Sequence, residues 1–267
     1  LDDAIWLKVA SSGAFVNTMT GGTVDIRTDA KLAWDDKFLY VAFNSMDSDI
    51  WGTFKKRDDE LWTQEAVEVF LDANSDGKDY VELQVSPAGV IFDSYLPSYR
   101  KNENDWNSKL QAKVSVDGTL NKRTDKDKGW TVEMAIPWSD VKGKGTYDLK
   151  LPPAVGDVWR INMFRVDSPS EKVSLAAAWS APLVGDFHKL DRFGELVFGD
   201  ENGKAPSNPG LMVLPPGVGR VPGAERGPSF RVRSPMRNPS SVRELRGVRV
   251  PLKKAGLPPT TPPEKGK

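Results

Sequence analysis

The stretch LWTQEAVEVFLD, Leu61–Asp72, sets Trp62, Glu65, Glu68 and Asp72 close together around an alternating apolar run. Val67, Val69 and Leu71 point to one side of a strand, and Ala66, Glu68, Phe70 and Asp72 to the other. A second alternating run, Tyr80–Val85, completes a hairpin. Matching the apolar sets pairs Val69 with Leu83, Leu71 with Val81 and Val67 with Val85, because a one-residue slip would scatter them. That register sets Glu68 opposite Gln84 and Phe70 opposite Glu82, with Tyr80 on the same face. Carboxylates and amides bind hydroxyl groups, and flat rings cover the C–H face of a pyranose, so the patch suits a polyhydroxylated ligand. The competing expectation is a plain solvent-facing sheet surface. A glycosidase would need two carboxylates about 5–9.5 Å apart across a cleft, which Glu68, Glu82 and Glu65 do not establish by themselves. Contact with a ligand explains Glu68 without a catalytic role.

The turn after this strand, DANSDGKDY, offers oxygen ligands at Asp72, Asn74, Asp76 and Asp79 around Gly77. It resembles half of a calcium loop. The twelfth loop position, where a helix–loop–helix calcium site needs glutamate, is Leu83, so only a turn-bound structural calcium ion is expected. His188 is the single histidine, and no Gly-x-Ser-x-Gly elbow accompanies it. It reads as a polar or packing residue of the loop GDFHKLDRFG. Met46, Met163 and His188 could in principle ligate a haem, which without a Cys-x-x-Cys-His motif would have to be non-covalent; no haem is expected. The absence of cysteine excludes disulfides, cysteine-based zinc sites and a thiol nucleophile.

The elements that would carry these residues are strands. KLAWDDKFLYVAFNSMD predicts two around an Asp35–Asp36 turn, and residues 66–96 predict three more, broken at Asp76–Gly77 and Pro87–Ala88–Gly89. LQAKVSVDGTL, GWTVEMAIPW, DVWRINMFRVD and RFGELVFGD continue the pattern, and only Pro137–Val141 reads as a short helical turn. The expected fold is all-β, an antiparallel sandwich of jelly-roll or immunoglobulin-like type. Trp6, Trp34, Trp130, Trp138 and Trp159 lie in or beside these strands and are expected in the core, while Trp51 and Trp106 lie in loops.

Composition changes near residue 200. Residues 201–267 hold 13 Lys/Arg against 4 Asp/Glu and 13 of the 20 prolines, and all nine tryptophans precede them. The expected domains are a sandwich over 1–199 and a basic Pro/Gly/Arg-rich tail over 200–267, disordered or extended, with VRELRGVRV as a short strand or helical turn. Through residues 201–267 the chain would engage a protein partner, making it an interaction module of a cell-envelope or extracellular assembly; nucleic acid is not the expected partner. No apolar run reaches the length of a transmembrane segment. The sequence begins at Leu1 without a methionine, so a leader or a first strand is expected to have been removed or trimmed.

LDDAIW, LAWDDKFLYVAF, LWTQEAVEVFLD, GWTVEMAIPW, GDVWRIN and FHKLDRFGELVF, in that order, resemble the family 9 carbohydrate-binding modules from Leu1 to about Gly199. The resemblance implies a secreted or periplasmic, non-catalytic β-sandwich that binds oligo- or polysaccharide, often beside a glycoside hydrolase, and that uses structural calcium. It further implies two tryptophans around a terminal sugar, falling on Trp62 and, in AAAWSAP, on Trp179, with an acidic residue at Glu68. Where the family has a basic residue on the paired strand, this chain has Gln84, which cannot repeat a forked, charged donation. Asn162 and Arg165 are the substitutes nearest in the pattern.

Overall fold

A computed structural model of the chain describes residues 5–170, 173–205 and 243–250. Its strands are β1 (Val16–Asn17), β2 (Thr28–Trp34), β3 (Phe38–Met46), β4 (Ala66–Asp72), β5 (Tyr80–Val85), β6 (Ile91–Leu96), β7 (Gln111–Asp117), β8 (Gly129–Pro137), β9 (Val158–Ser170), β10 (Val173–Ala178), β11 (Gly194–Phe198) and β12 (Glu244–Arg249). Runs of β-branched and aromatic residues form them, and the expected Asp, Asn, Gly and Pro turns separate them. Pro137–Val141 is a hydrogen-bonded turn, in which Asp140 N donates to Pro137 O at 2.9 Å.

One layer runs β6-β5-β4-β9-β11 and the other β2-β3-β8-β7, with β10 on β9 and β1 on β10. Pairing within each layer is antiparallel. The odd-numbered residues of β4, β5 and β9, such as Val69, Leu83 and Met163, face Leu32, Val41, Val132 and Met134 of the other layer in one core. Trp6, Trp34, Trp130, Trp138 and Trp159 are all buried, as their positions in the alternation imply. The hairpin register is the one that alternation dictates, with Glu68 against Gln84 and Phe70 against Glu82.

Two features depart from expectation. The boundary at Gly199 does not separate packed chain from tail, because β12 lies in the sheet between β11 and β2, parallel to both. It buries Leu245 and Val248, with Val250 just beyond, and Trp34 Nε1 donates to Gly199 O at 2.9 Å and Gly247 O at 3.2 Å. β12 thereby joins the two layers along one side. Residues 206–242 and 251–267, on which most of the tail and its expected protein partner fall, lie outside the described residues. The second departure is that the outer face of β4–β5–β9 does not face water. Phe70, Tyr80 and Phe164 pack there against Leu190, Phe193 and Phe187, so the loop before β11 forms a third layer over this face.

Candidate functional site

Trp62 sits on a single 3-10 turn, Leu61–Thr63, just before β4. Its ring meets Phe92 of β6 edge-on at 5.0 Å and remains 40% exposed, among the larger apolar surfaces left uncovered. β4 and β5 hold Glu68, Glu82 and Gln84 on the covered face, at 1%, 5% and 1% exposure. Gln84 Nε2 donates to Glu82 Oε1 at 2.6 Å. Glu68 Oε1 and Gln84 Oε1 are buried acceptors with no donor among the described residues. His188 joins from the loop: its Nδ1 lies 2.8 Å from Tyr80 OH, its ring stands edge-on to Phe70 at 5.1 Å, and its Nε2 is 4.0 Å from Glu82 Oε2. The expectation that His188 is a packing residue is therefore met.

Burial governs the protonation of this array. It pushes Glu82 up from 4.5 to about 7 and Glu68 well above the usual carboxylate range, with the neighbouring Glu82 adding to the latter. Burial, aided by Arg100, lowers His188 from 6.5 to about 4, so it is neutral near pH 7. A carboxyl whose folded pKa is raised holds its proton longer in the native state. Its contribution to stability is full below the unfolded pKa and declines as pH rises through the folded one. Between pH 4.5 and about 7, Glu82 should thus make unfolding progressively easier. Glu82→Gln should flatten this part of the melting-temperature profile and raise stability at pH 8; a profile unchanged by the substitution would contradict the assignment.

The structure places the other expected ligand residues elsewhere. Trp179 is 1% exposed in the main core, its ring lying over Gly194, where a Cβ would come within 2.2 Å of Cζ3. It therefore forms no open slot with Trp62. Asn162 is on the covered face but is occupied: its Nδ2 donates to Ser180 O at 2.8 Å and its Oδ1 accepts from Ser180 N at 3.0 Å. Arg165 points into the sandwich and is wholly buried, with Nη2 2.6 Å from Asp47, 3.2 Å from Asp167 and 4.0 Å from Glu65. Its guanidinium also lies 5.1 Å from the Trp130 ring. Burial first, then Asp47 and Asp167, pushes Glu65 up to about 10. This carboxylate group binds its cation within the chain.

The Asp72–Asp79 turn is ordered largely by its own amides. Asp72 Oδ2 accepts from Gly77 N at 3.0 Å and Asp76 Oδ1 from Lys78 N at 3.0 Å, while Asn74 Oδ1 accepts from Asp76 N at 3.4 Å. Asp79 accepts from Tyr95 OH. Asp72 Oδ1 is buried without a donor among the described residues, and burial pushes Asp72 from 3.8 to about 6.

Sequence reasoning missed Phe187. Its ring stacks on Phe164 at 4.2 Å with an interplanar angle of 3°, and it packs against the cluster of Ala66, Phe92 and Val166 that borders Trp62. The available signal was an aromatic residue in the loop before the last strand of the sandwich, one position from His188.

Comparison with known proteins follows this geometry. The model of the family described as carbohydrate family 9 binding domain-like matches residues 1–200. An extracellular protein of Arthroderma benhamiae is 26% identical over 187 residues, 64% of this chain and 78% of that protein. Exoglucanase XynX of Acetivibrio thermocellus is 30% identical over 139 residues, 52% of this chain but only 11% of the enzyme. Among solved structures, a carbohydrate binding module family 9 from Caldicellulosiruptor kristjanssonii in complex with cellotriose shares the fold, with a TM-score of 0.50 and 21% identity, over 78% of this chain and 92% of that one. Strand order, hairpin and family match agree: the chain belongs to the carbohydrate family 9 binding domain-like family.

Proposed function

We propose that the chain is an exported, non-catalytic module that docks a β-linked glucan or xylan on the Trp62 rim. The observation that carries this reading is Trp62 itself. An indole left 40% exposed at the edge of a sheet, buttressed by Phe92, is a platform for a pyranose C–H face. Phe187 borders the same cluster from the loop side. A non-catalytic role is supported by the cover over Glu68 and Glu82, since a hydrolase would need a substrate between two accessible carboxylates. The glucanase and xylanase relatives motivate the sugar class, and the extracellular relative motivates export.

Affinity electrophoresis through gels containing soluble β-glucan or xylan tests the reading. Trp62→Ala should weaken retention by about tenfold or more, because a small site loses most of its ring contact. Its melting temperature should change little, as the ring is at the surface. Equal retention of wild type and variant on a glycan that the wild type binds would remove Trp62 from the site.

A structural calcium ion is proposed at the Asp72–Asp79 turn, held by Asp72 Oδ1 with Asn74, Asp76 and Asp79 as neighbouring oxygen donors. The support is Asp72 Oδ1, a buried acceptor at the base of an acidic turn. Millimolar calcium should raise the melting temperature relative to chelator, since an ion bound only by the native state stabilises it. Superimposable melting curves would argue for a turn held by its amides alone.

A further inference from the structure

At the opposite end of β4 from Trp62, the β4–β5 turn and the loop before β11 enclose a cavity of about 460 Å³. Asp76 lies on one side and Asp186, His188 and Lys189 on the other, with Tyr99 and Arg160 completing it. Its size falls in the range of small-ligand sites. Asp186 and His188 flank Phe187 in sequence, so one loop lines the cavity and also reaches the cluster that borders Trp62.

The charges around it pair off with one remainder. Asp186 takes Arg100 at 2.7 Å, Asp191 takes Lys189 at 3.1 Å, and Asp76 has Lys78 at 3.9 Å. Arg160 is outside these pairs, although Asp72 of β4 and Glu195 of β11 stand opposite it in register without closing to ion-pair distance. Its Nη1 donates to Leu190 O at 3.1 Å, and among the described residues it has no carboxylate partner. One N–H of the fork is thus spent on orienting the guanidinium, and the remaining donors suit a planar carboxylate. Tyr99 is 58% exposed at the rim, its hydroxyl donating to Asp186 Oδ2 at 2.6 Å, so the ring is held with a face available to a sugar. His188, packed against Tyr80 and Phe70, adds a polar edge.

We propose that this cavity is a subsite for an acidic sugar, a hexuronate carried by the polysaccharide, with Arg160 receiving its carboxylate and Tyr99 covering its C–H face. The proposal rests on the carbohydrate-binding reading above and adds a ligand class to it. It makes the module selective for glycans bearing uronate over their neutral counterparts.

Isothermal titration of the full chain with xylo-oligosaccharides of equal length, with and without a single glucuronic acid branch, separates the two ideas. The wild type should bind the branched ligand about tenfold more tightly, the usual scale of a hydrogen-bonded charge pair. Arg160→Gln keeps a donor for Leu190 O and should erase that preference while neutral binding is retained. Trp62→Ala should weaken both ligands together. Equal wild-type affinity for the two ligands would overturn the acidic subsite and leave the platform standing, as would a preference that survives Arg160→Gln. Failure to bind either ligand would overturn the acidic subsite on xylan, and failure to bind cello-oligosaccharides as well would overturn the platform too. A thermal melt of Arg160→Gln verifies that the fold is retained.

Discussion

A chain ending at Gly199 should melt well below the full-length protein, by roughly 5–10 °C on the scale for a domain of this size. The missing piece is β12, which lies between β11 and β2 and buries Leu245 and Val248, with Val250 at its end. Burying each such side chain is worth roughly 1.5–3 kcal/mol, from which the cost of ordering the strand must be subtracted. Removal also uncovers the indole of Trp34 and leaves the facing edges of β11 and β2 unpaired, so the shortened chain should associate more readily. Leu245→Ala should reproduce part of the loss in the intact chain, about 2 kcal/mol by comparison with other core truncations. Calorimetry of the two chains decides the matter. Equal melting temperatures, with Leu245→Ala silent, would mean that β12 contributes nothing to the stability of the sandwich.

Arg165→Met should be the most damaging single substitution in the interior. It preserves length and apolar volume but leaves Asp47, Asp167 and Glu65 without the guanidinium they surround. Breaking a buried ionic cluster from one side typically costs about 3–5 kcal/mol. The sign of the pH dependence follows from the carboxyls. Arg165 opposes the rise of Glu65, which burial nevertheless pushes from 4.5 to about 10, and of Asp167, which is also raised. Glu65 holds its proton across pH 5–8 with or without Arg165, so the change in this range falls on Asp167, which rises further in the variant and is held protonated more strongly by the variant's native state. Its deficit relative to wild type should therefore be smallest in acid and grow as pH increases. Denaturant titrations at pH 5 and pH 8 measure this directly. Replacing Asp47 and Asp167 by Asn in the Arg165→Met background should recover part of the loss, and a deficit independent of pH would exclude the electrostatic account.

What the sequence revealed and what it concealed follow from the range of the interactions involved. The β4–β5 register was legible because apolar alternation in neighbouring strands admits one match, and Val69 does lie against Leu83. The five tryptophans expected in the core belonged to the same short-range pattern. The covering of Glu68, Glu82 and Gln84 was not legible, because it depends on a loop about a hundred residues downstream, as the separation of 108 between Tyr80 and His188 shows. Alternation distinguishes two faces but not which of them another segment will cover. Trp179 and Phe187 are both aromatic residues near the last part of the sandwich, and motif position alone favoured the larger ring. Packing reversed that choice: Trp179 lies on Gly194 in the core, while Phe187 packs beside the Trp62 cluster. Arg165 was drawn to the ligand by its charge, although its odd-numbered place in β9 aligns it with Trp159, Ile161 and Met163 on the inner face. That VRELRGVRV forms a short strand or helical turn was legible, and β12 is a short strand; its place between β11 and β2 was not, because its parallel neighbours rather than its own pattern define it.

The seam strand also fixes an order of events in biosynthesis. Trp34 and Gly247 are 213 positions apart, yet they share a hydrogen bond across the joint between the two layers. On the ribosome, β2 emerges early and must wait for almost all the remaining strands before its parallel neighbour exists. Contacts of such long sequence separation carry a large loop-closure cost and fold slowly. During that interval the nascent sandwich presents two open strand edges, the kind of surface that chaperones and export machinery act upon. The joint should therefore close only after the strands between β2 and β12 have been made, by the docking of one strand onto an otherwise assembled pair of layers.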